Sequence, residues 1–461
     1  MTARNPLDLL EIIEVLAPFL TADDLTHCVR VCKDWCSSFL PYLWRAVYIP
    51  VYYTKQPTPE ALQRNKNYVQ HLTFRYNPQI PHRSMIYPAL RRLSLLTAFQ
   101  NCELVEKHPF LIHLELYGAC MRTVWDLPPG LSNLTRLSLT RMDVRAQDQS
   151  MIWNFFSRLV SLELRNTWIS EPPGSMTASW KMRDLSLELV SGLTSVEQLR
   201  WIKNCPHLKR LTWIPSKILT SDLTEEIAQS AAANTWPDLE EFYTPNFMAS
   251  NRQVSLVISG MRRIHGLSIN SRKPLDLMRP ILHPQFPWLK RLEAITTSGN
   301  NSLFALEVLK SCPRLESLRM GTVHVRDMLD DDTPWACESS LRRLKVCFKV
   351  DQDISEAGQR ILLERLSRLY NLELLDLSCE KRAVYSLDLR LESGLEQLAT
   401  LTRLEELALF RTEQGTTIRD VHWMIDHWKN LKRFRGLRRS RYYPLGYMLR
   451  TLNHAGISTA K

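Results

Sequence analysis

Three cysteines, Cys28, Cys32 and Cys36, are spaced four residues apart in the segment LTHCVRVCKDWC. On a continuous α-helix this spacing places the three thiols on one face, where they could bind a metal, react as nucleophiles or pack in a core. A structural zinc site needs four ligands, and His27 points elsewhere on such a helix. Free cysteine is among the most buried residue types, so we expect the three thiols to pack.

Other patterns that carry chemistry do not occur in the sequence. We find no phosphate-binding loop, nucleophile elbow, zinc-binding spacing or paired metal histidines, and only 14 glycines serve the whole chain. We therefore predict no catalytic residue, no metal site and no cofactor, which describes a protein that is not an enzyme.

The cysteines lie in an amino-terminal unit of about 45 residues whose size suits a few short helices. Asn5 can cap a helix with Pro6 at its first position, and Thr21 with Asp24 forms a capping-box pattern for a second helix. Apolar residues then recur at helical spacing as one stripe: Leu25, Cys28, Cys32, Trp35, Cys36 and Phe39.

The first of these helices is apolar on nearly all sides. Its apolar residues are Leu7, Leu9, Leu10, Ile12, Ile13, Val15 and Leu16. So small a unit cannot bury both faces of such a helix, and an exposed apolar patch usually marks an interaction site. Alternatively, the unit caps the neighbouring repeats, which repeat arrays require.

The same residues carry a resemblance to the F-box. The positions that match its pattern are Pro6, Ile13, Leu16, Asp24, Leu25, Val31, Cys32, Trp35, Leu43 and Trp44. The resemblance implies binding to the adaptor subunit of a Skp–cullin–F-box ubiquitin ligase. The residues expected to take part are Pro6, Leu10, Ile13, Leu16, Leu25, Val31, Cys32, Trp35 and Trp44.

A second pattern recurs fifteen times beyond this unit, at intervals of 21 to 32 residues. It reads as an apolar residue, two variable residues, an apolar residue, a variable one and often another apolar one, as in LRRLSL at 90 and LTRLSL at 134. The alternation predicts a short strand with its leucines facing inward. Helical spacing between the strands is clearest in 149–159, 195–205, 221–234, 355–369 and 420–431.

Repeated strand-then-helix units predict a right-handed α/β solenoid. This resembles a leucine-rich repeat horseshoe, so the expected fold class is α/β, a leucine-rich repeat solenoid preceded by a small all-α F-box unit. We expect the F-box at 1–48, a linker or first cap at 49–68, the repeat array at 69–440 and a carboxy-terminal cap and tail at 441–461.

The net charge of +11 is unevenly distributed. Seven basic residues and no acidic ones lie between Lys429 and Arg441, which is compatible with a nuclear import signal, a polyanion contact or the polar end of the array. On the expected concave face, Arg291, Arg319, Arg343 and Lys345 gather with Glu293. They could bind an acidic or phosphorylated substrate segment, or they could form an ordinary solvated face.

The function that these features imply is that of a substrate receptor. The F-box would bind the adaptor and the repeats would bind a substrate protein, with no membrane contact and with nucleic acid not favoured as a partner. The alternative is a leucine-rich repeat scaffold or nucleic-acid-binding protein with no role in a ligase. We expect a cytoplasmic or nuclear location, where the ten cysteines would remain thiols.

Overall fold

The computed structural model describes most of the chain. The described residues are 10–50, 57–75, 84–96, 103–118, 123–126, 128, 130–145, 149–172, 180–217, 219–245, 250–261, 264–271, 282–296, 301–329, 332–351, 354, 356–379, 386–412, 415–436 and 445–459. The chain divides into two compact units, and the boundary between them falls within one strand, Arg210–Ile214. They are Met1–Leu208 with Trp213–Ser216, and Lys209–Thr212 with Lys217–Lys461.

The first unit begins with helices α1 (Leu10–Leu16), α2 (Ala22–Cys28) and α3 (Lys33–Arg45). The predicted capping box is confirmed, because the Thr21 hydroxyl accepts a hydrogen bond from the Asp24 backbone while the Asp24 carboxylate accepts one from the Thr21 backbone. The Thr21 hydroxyl also donates a hydrogen bond of 2.6 Å to the Asp24 carboxylate, and this bond, followed by the one from the Thr21 backbone, lowers the pKa of Asp24.

The expected single helical stripe through the cysteines is wrong. Helix α2 ends at Cys28, and Cys32 is the N-cap of α3, so the chain turns between them. The turn brings Leu25 of α2 and Phe39 of α3 into one small core, which a continuous helix would not allow. The spacing of the apolar residues predicted one helix, but packing between two helices decided the structure.

Seven strands of the first unit pair in parallel, in the order of the sequence. They are β1 (Ala46–Ile49), β2 (His71–Phe74), β3 (Arg92–Leu95), β4 (His113–Tyr117), β6 (Arg136–Thr140), β8 (Ser161–Arg165) and β10 (Asp184–Glu188). A smaller parallel sheet joins β5 (Thr123–Asp126), β7 (Met142–Arg145) and β9 (Trp168–Ile169).

The second unit continues the same strand pattern. Its strands are β11 (Arg210–Ile214, divided between the units), β12 (Glu241–Tyr243), β13 (Gly266–Ser271), β14 (Arg291–Thr296), β15 (Ser317–His324), β16 (Arg343–Lys349), β17 (Leu374–Asp376), β18 (Glu406–Ala408) and β19 (Arg433–Arg435). From β11 to β19 each strand pairs in parallel with the next.

Helices occupy the segments between the strands. Those of the first unit are α4 (Pro59–Asn65), α5 (Glu103–Glu106), α6 (Gln149–Ser157) and α7 (Ser195–Lys203). Those of the second are α8 (Ser221–Ala232), α9 (Asn251–Ser259), α10 (Ser302–Ser311), α11 (Val325–Leu329), α12 (Glu356–Ser367), α13 (Ile418–His427) and α14 (Leu445–His454). Each of the five helical segments expected from spacing is confirmed, with ends shifted by a few residues.

The fold class is confirmed as mixed α/β, with a parallel sheet of sixteen strands and a smaller one of three. All fifteen copies of the repeated pattern coincide with a strand, and their inner residues are buried, as Leu93 and Leu95 of β3 show. The sixteenth strand, β1, was not predicted. The expected boundary at residue 48 falls inside β1, and the expected linker 49–68 contains α4. Among the described residues, no helix is long and apolar enough to cross a bilayer.

The expectation that all ten cysteines remain thiols is wrong for two of them. Cys347 of β16 and Cys379, just after β17, form a disulfide. The parallel pairing of β16 with β17 places the two neighbourhoods side by side, and the Cα atoms lie 5.0 Å apart. Thirty-two residues separate the two cysteines in the sequence, so local pattern carried no sign of the bond.

Candidate functional site

The three amino-terminal helices share a small core. Ile13, Ala17, Leu25 and Phe39 are its buried residues, and the half-buried hydrophobic residues packed around them include Trp35, whose ring centroid lies 5.4 Å from that of Phe39. Four buried side chains remove little apolar area from water, so this unit holds together with a small margin.

Large apolar side chains of the same unit face solvent. The exposed fractions are 55% for Leu10, 66% for Val15, 42% for Leu16, 83% for Phe19 and 63% for Val31. Helix α1 buries only Ile13 among its described residues, so apolar surface remains on the rest of its circumference. Several such residues close together in the chain form the kind of surface that a partner protein usually covers.

The residues predicted to bind the adaptor differ in how much of each side chain is exposed. Leu10, Leu16 and Val31 are exposed and available to a partner. Trp35 and Trp44 are half-buried. The structure places Ile13 and Leu25 in the helical core, where they support the surface from within. Pro6 lies outside the described residues. Val15 and Phe19 are also exposed and were not among the predicted residues, although their position on the largely apolar first helix and just beyond it was the available signal.

The cysteines behave differently from one another. Cys28 and Cys36 are half-buried, and Cys28 packs against the helical core, as predicted for this residue. Cys32 is exposed, contrary to the prediction, and its Sγ accepts a hydrogen bond of 3.4 Å from the Trp35 backbone at the start of α3. Within the described part of the chain, no group of three His, Cys, Asp or Glu side chains is placed to hold a metal.

Other free thiols lie deep in the repeats. Burial raises the pKa of Cys205 and of Cys337 to about 12, and burial also raises the pKa of Cys312 strongly. A thiol whose pKa is so high stays protonated near neutral pH and is a poor nucleophile. These three cysteines are core residues.

The predicted basic surface of the second unit is assembled by strand pairing. The register puts Arg291, Ser317 and Arg343 in one row across β14, β15 and β16. A second row holds Glu293, Arg319, Lys345 and Asp376. The four predicted basic residues are thus neighbours.

Most of this positive charge is already balanced. Arg319 lies 2.8 Å from Glu293, Lys345 lies 2.9 Å from Asp376, and Arg291 lies 3.8 Å from Glu241. Among the described residues only Arg343 of the four forms no ion pair. The sequence suggested one opposing charge, and the structure adds Asp376 and Glu241 from neighbouring strands. An incoming acidic segment would have to compete with these acids.

Neither a scan against protein-family models nor a search of curated proteins finds a match for this chain.

Proposed function

We propose that this protein is the substrate-receptor subunit of a Skp–cullin–F-box type ubiquitin ligase. Its amino-terminal helices would be an F-box that binds the adaptor, and its repeats would be a leucine-rich repeat solenoid that binds the substrate. The chain would perform no chemistry. It would raise the local concentration of substrate lysines near a ubiquitin-carrying enzyme.

One observation carries this proposal: exposed apolar side chains surround a helical core of only four buried residues. Burial of apolar area contributes roughly 25 cal/mol per Å², so covering this surface with a partner would stabilise a complex. The resemblance of residues 6–44 to the F-box supports the adaptor as that partner.

The repeats supply the second half of the proposal. Parallel strands expose a row of variable residues at each of their outward positions, and such rows suit an extended protein surface. Arg343 is the residue of the predicted basic surface with the most freedom to contact a substrate, because it forms no ion pair with the described residues.

Adaptor capture tests the proposal. We expect co-expression of the full chain with the adaptor to give a stoichiometric complex, measured by affinity purification and size-exclusion chromatography. The double variant Val15→Asp/Phe19→Asp should lose the complex, because both side chains face solvent and the charges would be desolvated on binding. Point variants are preferable to deletion of residues 1–48, which would remove most of β1.

A matched control comes from the second unit. Leu303 is 53% exposed, close to the value for Leu10, and Leu303→Asp should leave adaptor binding unchanged. Circular dichroism would show whether each variant keeps its helices. A folded wild-type chain that fails to capture the adaptor would rule out the ligase role.

A further inference from the structure

A row of basic residues crosses four strands of the first unit. Strand register aligns His71 of β2 with Arg92 of β3, Arg92 with His113 of β4, and His113 with Arg136 of β6. We call these four residues the basic row. Neighbouring strands lie about 4.8 Å apart, so the row extends over about 14 Å.

Little negative charge opposes the basic row. Glu115 is the acid that forms an ion pair with the row, at 3.6 Å from Arg92, and its carboxylate also accepts a hydrogen bond of 2.8 Å from the Ser94 hydroxyl. Arg136 is exposed and forms no ion pair with another described residue. The basic surface of the second unit, by contrast, has three of its four cations paired.

Both histidines of the basic row have a lowered pKa. Burial, together with Arg45 and Arg92, lowers the pKa of His71. Burial lowers the pKa of His113 as well, with Arg92, Arg136 and His71 acting in the same direction and Glu115 opposing them. An anion placed on the row would offset the neighbouring cations and favour protonation of both rings.

A second row of residues, which lies beside the basic row on the same sheet, restricts the shape of a ligand that could bind there. It holds Ser94, Glu115, Ser138 and Glu163, so two carboxylates stand beside the cations. A wide polyanion such as duplex nucleic acid would meet both acids, whereas a single extended peptide laid along the basic row would compete mainly with Glu115 for Arg92. A peptide of about five residues covers 14 Å, and its alternate side chains point to the same face.

We propose that the basic row binds an acidic, extended peptide segment of a partner protein, with carboxylates on alternate residues. Arg92 and Arg136 bind the carboxylates by charge-assisted hydrogen bonds, and His71 and His113 contribute when protonated. This inference does not depend on the adaptor proposal, because the row lies on the repeats and needs no ligase subunit.

Fluorescence anisotropy with the full chain tests the proposal. The probe is a labelled peptide of alternating Glu and Gly, and the test variant is Arg92→Gln/Arg136→Gln. We expect its affinity to fall about tenfold or more, because two guanidinium groups would no longer donate charge-assisted hydrogen bonds to the peptide carboxylates. The single variant Arg136→Gln should show a smaller loss and serves as the test if the double variant unfolds.

The matched control is Arg291→Gln/Arg343→Gln. These arginines also begin strands two apart in a parallel sheet, and the substitution removes the same charge. We expect the control to change affinity by less than about twofold, because these arginines do not belong to the basic row and exposed charges outside a binding site are screened by salt. Equal losses in both variants, a loss in the control alone or no loss in either would overturn the proposal.

Two further measurements sharpen the outcome. Affinity for the peptide should rise as pH falls from 7 to 5, because the pKa values of His71 and His113 are lowered and their rings gain protons toward the acidic end of this range; His71→Gln/His113→Gln should flatten that profile. A flat profile in the wild-type chain would remove the histidines from the proposal. An oligonucleotide that binds through Arg92 and Arg136 more tightly than the peptide would overturn the choice of partner.

The adaptor experiment separates the two proposals. Arg92→Gln/Arg136→Gln should still capture the adaptor, while Val15→Asp/Phe19→Asp should still bind the acidic peptide. Either proposal can therefore fail while the other stands.

Discussion

Arg365 is a charged side chain inside the second unit, with only 9% of it exposed. It donates hydrogen bonds to the backbone carbonyl of Met328 and, at 2.9 Å, to the carboxylate of Asp332. A buried charge is tolerated only when its donors are satisfied, so Arg365 joins α12 to the end of α11 and the segment beyond it. Burial therefore gives Arg365 a structural role that an arginine at the surface does not have.

Replacing Arg365 with Met should destabilise the protein. The variant keeps most of the side-chain volume but leaves the Met328 carbonyl without its donor, so we expect a loss of about 2–3 kcal/mol in the free energy of unfolding. Chemical denaturation would measure it. Arg368→Met is the control on the same helix: Arg368 is 45% exposed and pairs with Glu364 at the surface, so its loss should cost less than about 1 kcal/mol. Equal effects would contradict the role of burial.

Helix caps recur at the scale of elements. Capping boxes begin α2, α7, α9 and α13, and each satisfies backbone N–H groups that a helix leaves without partners. The box of α13 does more than cap. Asp420 is buried and accepts hydrogen bonds from the Thr417 backbone at 2.7 Å and from the Leu391 backbone at 2.9 Å. It thus ties the start of a helix to the preceding repeat.

Asp420→Ala should weaken α13 and its contact with the preceding repeat together. Two backbone donors would lose a charged acceptor, so we expect about 2–4 kcal/mol of destabilisation, and faster hydrogen exchange at Leu391 and Thr417. Asp426→Ala, on the same helix but 71% exposed, is the control and should change stability by less than about 0.5 kcal/mol. Unchanged exchange at Leu391 in Asp420→Ala would refute the link between the two repeats.

Neighbour-to-neighbour contacts dominate at the scale of the whole molecule. In a repeat array each unit packs mainly on the next, so stability spreads along the chain through local interfaces. The Cys347–Cys379 disulfide covalently joins two such neighbours in the second unit. Closing a loop of this length contributes about 3–4 kcal/mol if it acts through the entropy of the unfolded chain.

Reduction should therefore lower the stability of the wild-type chain. We expect a reductant to lower the denaturation midpoint of the full chain. Alkylation of the unreduced, unfolded chain followed by mass spectrometry should modify the six described free cysteines and leave Cys347 and Cys379 unmodified. Cys347→Ala/Cys379→Ala should show no response to the reductant. Ten alkylated thiols in protein purified without reductant would contradict the disulfide.

Prediction succeeded where the cause is local. The alternation in LRRLSL requires a strand because successive side chains point to opposite faces, and β3 lies there. Prediction failed at Cys32. The helical spacing of apolar residues continues through this residue, but the chain turns there so that α3 packs against α2. Prediction also missed Arg92 and Arg136 as neighbours, although aligning the repeat copies in register would have placed both residues in one row.

Local sequence determined the fifteen repeat strands, the five helices predicted from spacing and the inward-facing leucines, since propensity and side-chain alternation act over a few residues. The tertiary structure alone decided which variable residues meet. Lys345 became paired with Asp376, and Cys347 became bonded to Cys379. Register between strands that are separated by twenty or more residues depends on the packing of the whole array, and no short window of sequence contains that information.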